Sequence, residues 1–204
     1  MSKVAEKEKR IRNFTFLIYE ESALPDWKEK INSLALPGFY IYHNKDINED
    51  GTLKKPHYHI LFLLDSMHSR KQISDIVKFL GGANGIYKDI VNSRSYARYL
   101  CHLDNPEKYK YSIEDVVGLC GLDYYKYIIT DSDRVRLVKE MIEFCDEKGM
   151  YSFADLMDYS KDNNKMWFSA LCGFYGRAVR EYIKERFWER RESEKERVVF
   201  KEDF

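Results

Sequence analysis

The sequence predicts an α+β protein: an antiparallel sheet with helices on one face over residues 1–131, then a small all-helical domain over 132–204. Three observations lead there. Short segments rich in aromatic and β-branched residues are interleaved with segments of helical apolar spacing. Two of the strand-like segments are joined by a short polar connection with a turn signal, which suits an antiparallel hairpin. Beyond Asp131 the strand signals stop and only helical periodicity continues.

Asn13 to Tyr19 reads as the first strand. Pro25, then Trp27, Ile31 and Leu34 at spacings of four and three, give an amphipathic helix that Pro37-Gly38 breaks. Phe39 to His43 is a second strand. The polar stretch Asn44 to Pro56, with Asp50-Gly51 as its turn signal, leads into His57-Tyr58-His59 and the apolar run Ile60 to Leu64. Ser69 and Gln72 form a capping box for a helix carrying Ile73, Ile76, Val77 and Leu80, and Gly81-Gly82 ends it. Ile86 to Val91 is a fourth strand. Asn92 or Ser93 caps a helix bearing Tyr96, Tyr99, Leu100 and Leu103, and Tyr109 to Ile113 is the last strand.

In the helical part, Val135, Val138, Ile142 and Cys145 form one stripe, and Gly149 ends that segment. Ser152 with Asp155 reads as another capping box. Trp167, Ala170, Leu171, Phe174, Ala178, Tyr182 and Ile183 run along one long final helix. So few helices make a thin core, and burial against a second copy is expected.

Charged residues make up 33% of the chain and cancel to zero. Bulk charge therefore neither argues for nucleic acid nor excludes it, and local clusters must decide. The cysteines are widely spaced with no Cys-x-x-Cys pair, which points away from zinc ribbons and disulfide frameworks and toward a reducing compartment. Met1 to Arg12 is charged, without the apolar segment of a secretory signal, and no run is long enough for a membrane span; a cytoplasmic location is expected.

Chemistry concentrates at His57 and His59, which alternation places on one face of a strand. Paired across the hairpin, His43 comes near His57, and Asp46 adds a carboxylate; Glu49 and Asp50 are rivals in the same loop. Nitrogen and oxygen donors without thiolate suit Mn²⁺ or Mg²⁺, with Zn²⁺, Co²⁺ or Ni²⁺ as substitutes. Tyr96 and Tyr99 are both candidate nucleophiles. Proximity to a cation would separate a catalytic tyrosine from a packing one, and the sequence does not set that distance.

His43-Asn44-Lys45-Asp46, Pro56-His57-Tyr58-His59-Ile60-Leu61-Phe62 and Tyr96-Ala97-Arg98-Tyr99-Leu100-Cys101-His102 together resemble the three motifs of plasmid rolling-circle replication initiators, in the RepB-like group of the HUH endonuclease superfamily. Asn13 to Leu17 and the Asp26-Trp27 helix are also similar to that group, so the likeness runs over roughly residues 11–130. Asn44 departs from the Asp commoner there.

The resemblance implies a ferredoxin-like HUH nickase and strand transferase that cuts one strand at the plasmid double-strand origin. It leaves a 3′-hydroxyl primer and a 5′-phosphotyrosine link. It assigns Tyr99 as nucleophile, with Tyr96 as the other candidate, and His43, Asp46, His57 and His59 as ligands of Mn²⁺ or Mg²⁺. Lys45, Lys54, Lys55, Arg94 and Arg98 would neutralise phosphates, and Tyr42, Tyr58 or Phe62 would stack on bases or pack in the core. Gly81 to Gly85 lacks the Gly-Lys-Ser/Thr ending of a phosphate loop, so a host helicase and polymerase are expected partners. The helical domain resembles an oligomerisation domain, for which the likeness implies a homo-oligomer, such as a hexameric ring. A conjugative relaxase, a single-tyrosine transposase and a non-catalytic RNA-recognition-like module are the alternatives.

Overall fold

The computed structural model describes residues 10–173 and 175–202 and divides into two compact units, the first ending at Ile128 and the second beginning at Ile129. In the first unit, strand β1 (Ile11–Tyr19) is followed by β2 (Gly38–His43) and β3 (His57–His68), with β3 pairing to both. Two short strands, β4 (Lys88–Asp89) and β5 (Val117–Leu119), complete the order β4-β1-β3-β2-β5, and every pair is antiparallel. At Gly38 a Cβ would come within 2.3 Å of the Leu61 carbonyl oxygen, so only glycine allows β2 to begin there.

Register decides which side chains share a face. Phe16, Ile60 and Tyr40 lie side by side across the sheet, and so do Leu17, His59 and Ile41 on the other side. The first face is covered by α1 (Trp27–Ser33) and α2 (Arg70–Phe79), through Trp27, Ile31, Ile73 and Val77. The second is covered by α3 (Ser93–Leu100) and α4 (Tyr124–Ile128), through Ala97, Leu100 and Ile128. The α+β class stands, but the helices are divided between both faces instead of gathered on one. The reason is in β3 itself: Ile60, Leu61 and Phe62 are all fully buried, and an unbroken apolar run needs cover on both sides.

The end signals largely hold. Ser69 and Gln72 form the capping box of α2, and the Asn92 side chain accepts from the Ser95 amide at the start of α3. The fourth strand shrinks to two residues, leaving Ile86 and Val91 exposed. The expected strand at Tyr109–Ile113 is absent. Its alternating pattern serves another purpose, because the Tyr109 carbonyl and the Tyr111 ring turn toward the histidines, while Val117–Leu119 takes the edge of β2.

The second unit holds α5 (Asp131–Lys148), α6 (Phe153–Asn163), α7 (Lys165–Leu171) and α8 (Tyr175–Glu202). Thr130 and Asp133 form a capping box for α5, and left-handed Gly149 ends it. At α6 only the Ser152 arm of the expected box is made, to the Asp155 amide. The stripe that packs is Leu137, Met141 and Cys145. Val135 instead lies exposed, because the apolar residues of α5 fall on two adjacent rows and the core takes the row one position round. The expected single final helix is split into α7 and α8. Phe174 lies outside the described residues.

Candidate metal centre and tyrosine cleft

His43 and His57 face one another as the last and first residues of β2 and β3, and His59 follows on the same face. Their rings gather closely, with centroids 5.5 Å apart for His43–His57, 5.1 Å for His43–His59 and 5.4 Å for His57–His59. Asp46 reaches back, its Oδ2 lying 3.4 Å from His43 Nδ1. Of the rival carboxylates, Asp50 caps its own turn by accepting from Thr52, and Glu49 is exposed.

A fourth ring completes the group. His102, to which the motif reading gave no role, has its centroid 5.1 Å from that of His43. It follows α3 in a left-handed conformation (φ 55°), where its amide bonds the Tyr99 carbonyl and the Leu103 amide bonds that of Arg98. This is the paired-bond helix end at which glycine is the usual occupant. A histidine there costs about 1–2 kcal/mol of backbone strain. That strain directs its ring into the cluster.

Three of these histidines are oriented by backbone carbonyls. His43 Nε2 donates to Leu100 O (2.7 Å), His57 Nδ1 to Lys55 O (2.8 Å) and His102 Nδ1 to Tyr109 O (2.8 Å). A ring nitrogen facing a carbonyl must carry the proton, so the opposite nitrogen is the one turned toward the cluster and left to bind a cation. Such outer contacts commonly fix metal-binding imidazoles. His43 Nδ1 and His102 Nε2 are buried and make no hydrogen bond. Burial holds the pKa of His57, His59 and His102 below the ordinary imidazole value, and for His59 the neighbouring His43 and His57 push the same way.

Burial alone would raise the Asp46 carboxyl. The facing His43, then His102 and the Tyr111 hydroxyl, overcome it and hold the group well below the usual carboxylate range. Tyr111 stacks on His43 at 4.1 Å, nearly parallel, and donates to Asp46 Oδ1 at 3.1 Å.

Imidazoles oriented by carbonyls, a carboxylate held ionised and two orphaned ring nitrogens fit a divalent cation. In the sets His43-His57-His59 and His43-Asp46-His102, the donor atoms lie within 4.8 Å of one another. Opposite ligands on an ion with bonds of ~2.1 Å stand ~4.2 Å apart, so small side-chain rotations would close either set.

Beside this cluster runs a cleft of about 450 Å³ lined by His57, His59, Tyr99, Lys54 and Lys55. The two tyrosines of α3 differ here. The Tyr96 hydroxyl lies 3.4 Å from His59 Nδ1, and burial pushes its pKa up to about 12. Tyr99 faces the cleft, its ring packed against His102, and its oxygen accepts from Lys108 Nζ at 2.8 Å. Neither Lys108 nor Tyr111 was singled out by sequence. The alternating tyrosines of residues 109–111 were the available signal, and they resembled a strand.

The basic residues separate. Lys54 lines the cleft and Arg94 is exposed on α3. Lys45 donates to the Tyr109 hydroxyl at 2.8 Å, and Lys55 pairs with Glu21 at 2.6 Å in an exposed contact of little strength. Arg98, expected on phosphate, instead binds both Asp104 oxygens at 2.7 Å and the Ile128 carbonyl at 3.0 Å. Phe62 is core, and Tyr58 packs between Trp27 and Tyr42 on the face away from the histidines.

Residues 6–125 match the family described as "Plasmid replication protein, origin binding domain", and residues 131–188 match "Replication protein RepB, C-terminal". The chain is 39% identical to a "Replication protein" of Staphylococcus aureus over 87% of this chain and 90% of that one. It is 30% identical to "Replication protein RepB" of Lactiplantibacillus plantarum, over 93% of this chain and 87% of the relative. With an origin-binding domain on the antiparallel sheet and a RepB C-terminal region on the helices, the chain belongs to the RepB-type family of plasmid replication initiators.

Proposed function

We propose that the protein is an HUH-type nickase and strand transferase acting at the plasmid double-strand origin, with Tyr99 as nucleophile. The reading rests on one convergence: two donor sets that share His43, one with His57 and His59 and one with Asp46 and His102, lie beside the cleft that Tyr99 lines. His43, Asp46, His57 and His59 would hold Mn²⁺ or Mg²⁺, with His102 as a further donor. Such a cation supplies Lewis-acid polarisation of the scissile phosphate.

The remaining work falls to the chain's own groups. Lys54 and Arg94 draw the phosphate backbone toward the cleft, and Lys45 and Lys55 add charge once they leave their surface partners. The Tyr99 oxygen bonds to phosphorus as the bond to the 3′-oxygen breaks. The phenolic proton passes to solvent and the departing 3′-oxygen takes up a proton, leaving a 3′-hydroxyl and a 5′-phosphotyrosine. Tyr99 suits the role better than Tyr96, whose hydroxyl is buried and held protonated.

Residues 132–204 would serve as an oligomerisation domain. Exposed Val135, Phe187 and Trp188 in that region support self-association, and the ring assembly implied by the family likeness is testable by sedimentation velocity. Among the described residues no helix is long and apolar enough to cross a membrane, in keeping with work in the cytoplasm beside host helicase and polymerase.

Supercoiled origin DNA incubated with protein and Mn²⁺ is expected to yield nicked circles carrying covalent protein. A Tyr99→Phe variant that still labels the DNA would overturn the assignment.

A further inference from the structure

The contact between Lys108 and Tyr99 is not explained by packing or by general charge. The Lys108 ammonium donates to the Tyr99 hydroxyl at 2.8 Å and lies 4.4 Å from the centre of its ring. It is half-buried, and among the described residues it forms no ion pair. The chain after α3 folds back to bring it there. The amides of Asn105 and Lys108 bond the carbonyls of His102 and Asn105 in successive turns, and Lys110 donates to those same two carbonyls. The same segment places the Tyr109 carbonyl on His102, so one turn sets both the tyrosine oxygen and a ring of the metal centre.

We infer that Lys108 is a positioning residue for the nicking reaction, fixing the Tyr99 oxygen at the cleft wall and stabilising the negative charge it carries while bonding to phosphorus. This rests on the nickase reading above. Rotation about the Tyr99 Cα–Cβ bond swings the phenolic oxygen through an arc, and an ammonium hydrogen bond selects one placement of it. An ammonium has no lone pair, so in this role it accepts no proton. Lys108 keeps its three protons as the oxygen–phosphorus bond forms and the bond to the 3′-oxygen breaks. In the reverse direction, when a 3′-hydroxyl attacks the phosphotyrosine, Lys108 stabilises the departing phenolate. It should therefore accelerate both cleavage and rejoining. A bystander lysine would do neither, and a phosphate clamp would act on affinity.

The test uses full-length protein, Mn²⁺ and a single-stranded oligonucleotide containing the origin nick site. Single-turnover adduct formation is followed at saturating DNA, and affinity is measured separately in EDTA. Lys108→Met is expected to slow adduct formation and rejoining on the order of 100-fold, as loss of one charge-stabilising donor does elsewhere. DNA affinity and the Mn²⁺-induced rise in melting temperature should be unchanged, and Lys108→Arg should recover much of the rate because it keeps a cationic donor. If Lys108→Met does not fold, Lys108→Gln replaces it. A weakened affinity with an unchanged saturating rate would assign Lys108 to phosphate and overturn the inference. So would an unchanged rate and affinity in a protein whose adduct still requires Tyr99. An adduct persisting in Tyr99→Phe would instead refute the underlying nickase reading.

Discussion

The two faces of strand β3 put the same backbone to opposite uses. Tyr58, Ile60 and Phe62 point into a dry cluster with Phe14, Phe16 and Trp27, where the rings stack within 4.6–6.3 Å and hold the sheet to α1 and α2. His57 and His59 point the other way, and there the strand buries polar nitrogens that only carbonyls, a carboxylate or a cation satisfy. Leu61 marks the limit of that polar zone, returning the second face to apolar packing against α3. Stability and chemistry thus alternate residue by residue, and a substitution on one face should leave the other face's readout nearly untouched.

The sharpest way to break this contrast is Phe62→Ala. It should cost about 3–5 kcal/mol in urea denaturation through lost burial and a residual cavity. The metal affinity of whatever remains folded should be little altered. His59→Ala should do the reverse. The Mn²⁺-induced rise in melting temperature should vanish and adduct formation fall roughly 100-fold, equivalent to about 2.7 kcal/mol, while the metal-free melting temperature moves little. Comparable destabilisation by both variants would show that the faces are not separable.

Acid should affect the histidine face selectively. His57, His59 and His102 have folded pKa values below 6.5, so below that value the unfolded chain binds more protons than the folded one. Their contribution to metal-free stability is fully present above 6.5 and is lost as pH falls through the depressed folded values. Urea midpoints measured down the pH scale should show that decline, and His57→Ala should flatten it.

The smallest effect concerns the helix end. His102→Gly and His102→Ala both remove the ring, but only glycine relieves the left-handed strain, so the glycine variant should be more stable by about 1 kcal/mol. Neither should restore full Mn²⁺ affinity. Equal stabilities would show that the backbone at His102 is unstrained.

Much of the first unit could be read from local pattern. Alternation alone places His57 and His59 together, and Ser69-Gln72 and Asn92 mark helix starts because each side chain satisfies an amide that would otherwise lack a partner. The errors came where local pattern competes with tertiary demand. Tyr109 to Ile113 alternates like a strand, yet Tyr111 is held by Asp46, by the Lys45 amide and by stacking on His43, which outweigh edge pairing. Arg98 carried the same charge as Arg94, and only folding brought it to Asp104.

The chain's covalent order by itself determined the antiparallel hairpin, the shared face of the paired histidines and the α+β character, because those follow from side-chain period and turn chemistry within a few residues. Tertiary structure alone decided that helices cover both sheet faces, that His102 joins the cluster and that Lys108 reaches Tyr99. The first needs α1 to α4 to pack on β3 across long stretches of chain, and the other two depend on the turn after α3 that carries residues 108–111 back toward Tyr99, Asp46 and His43.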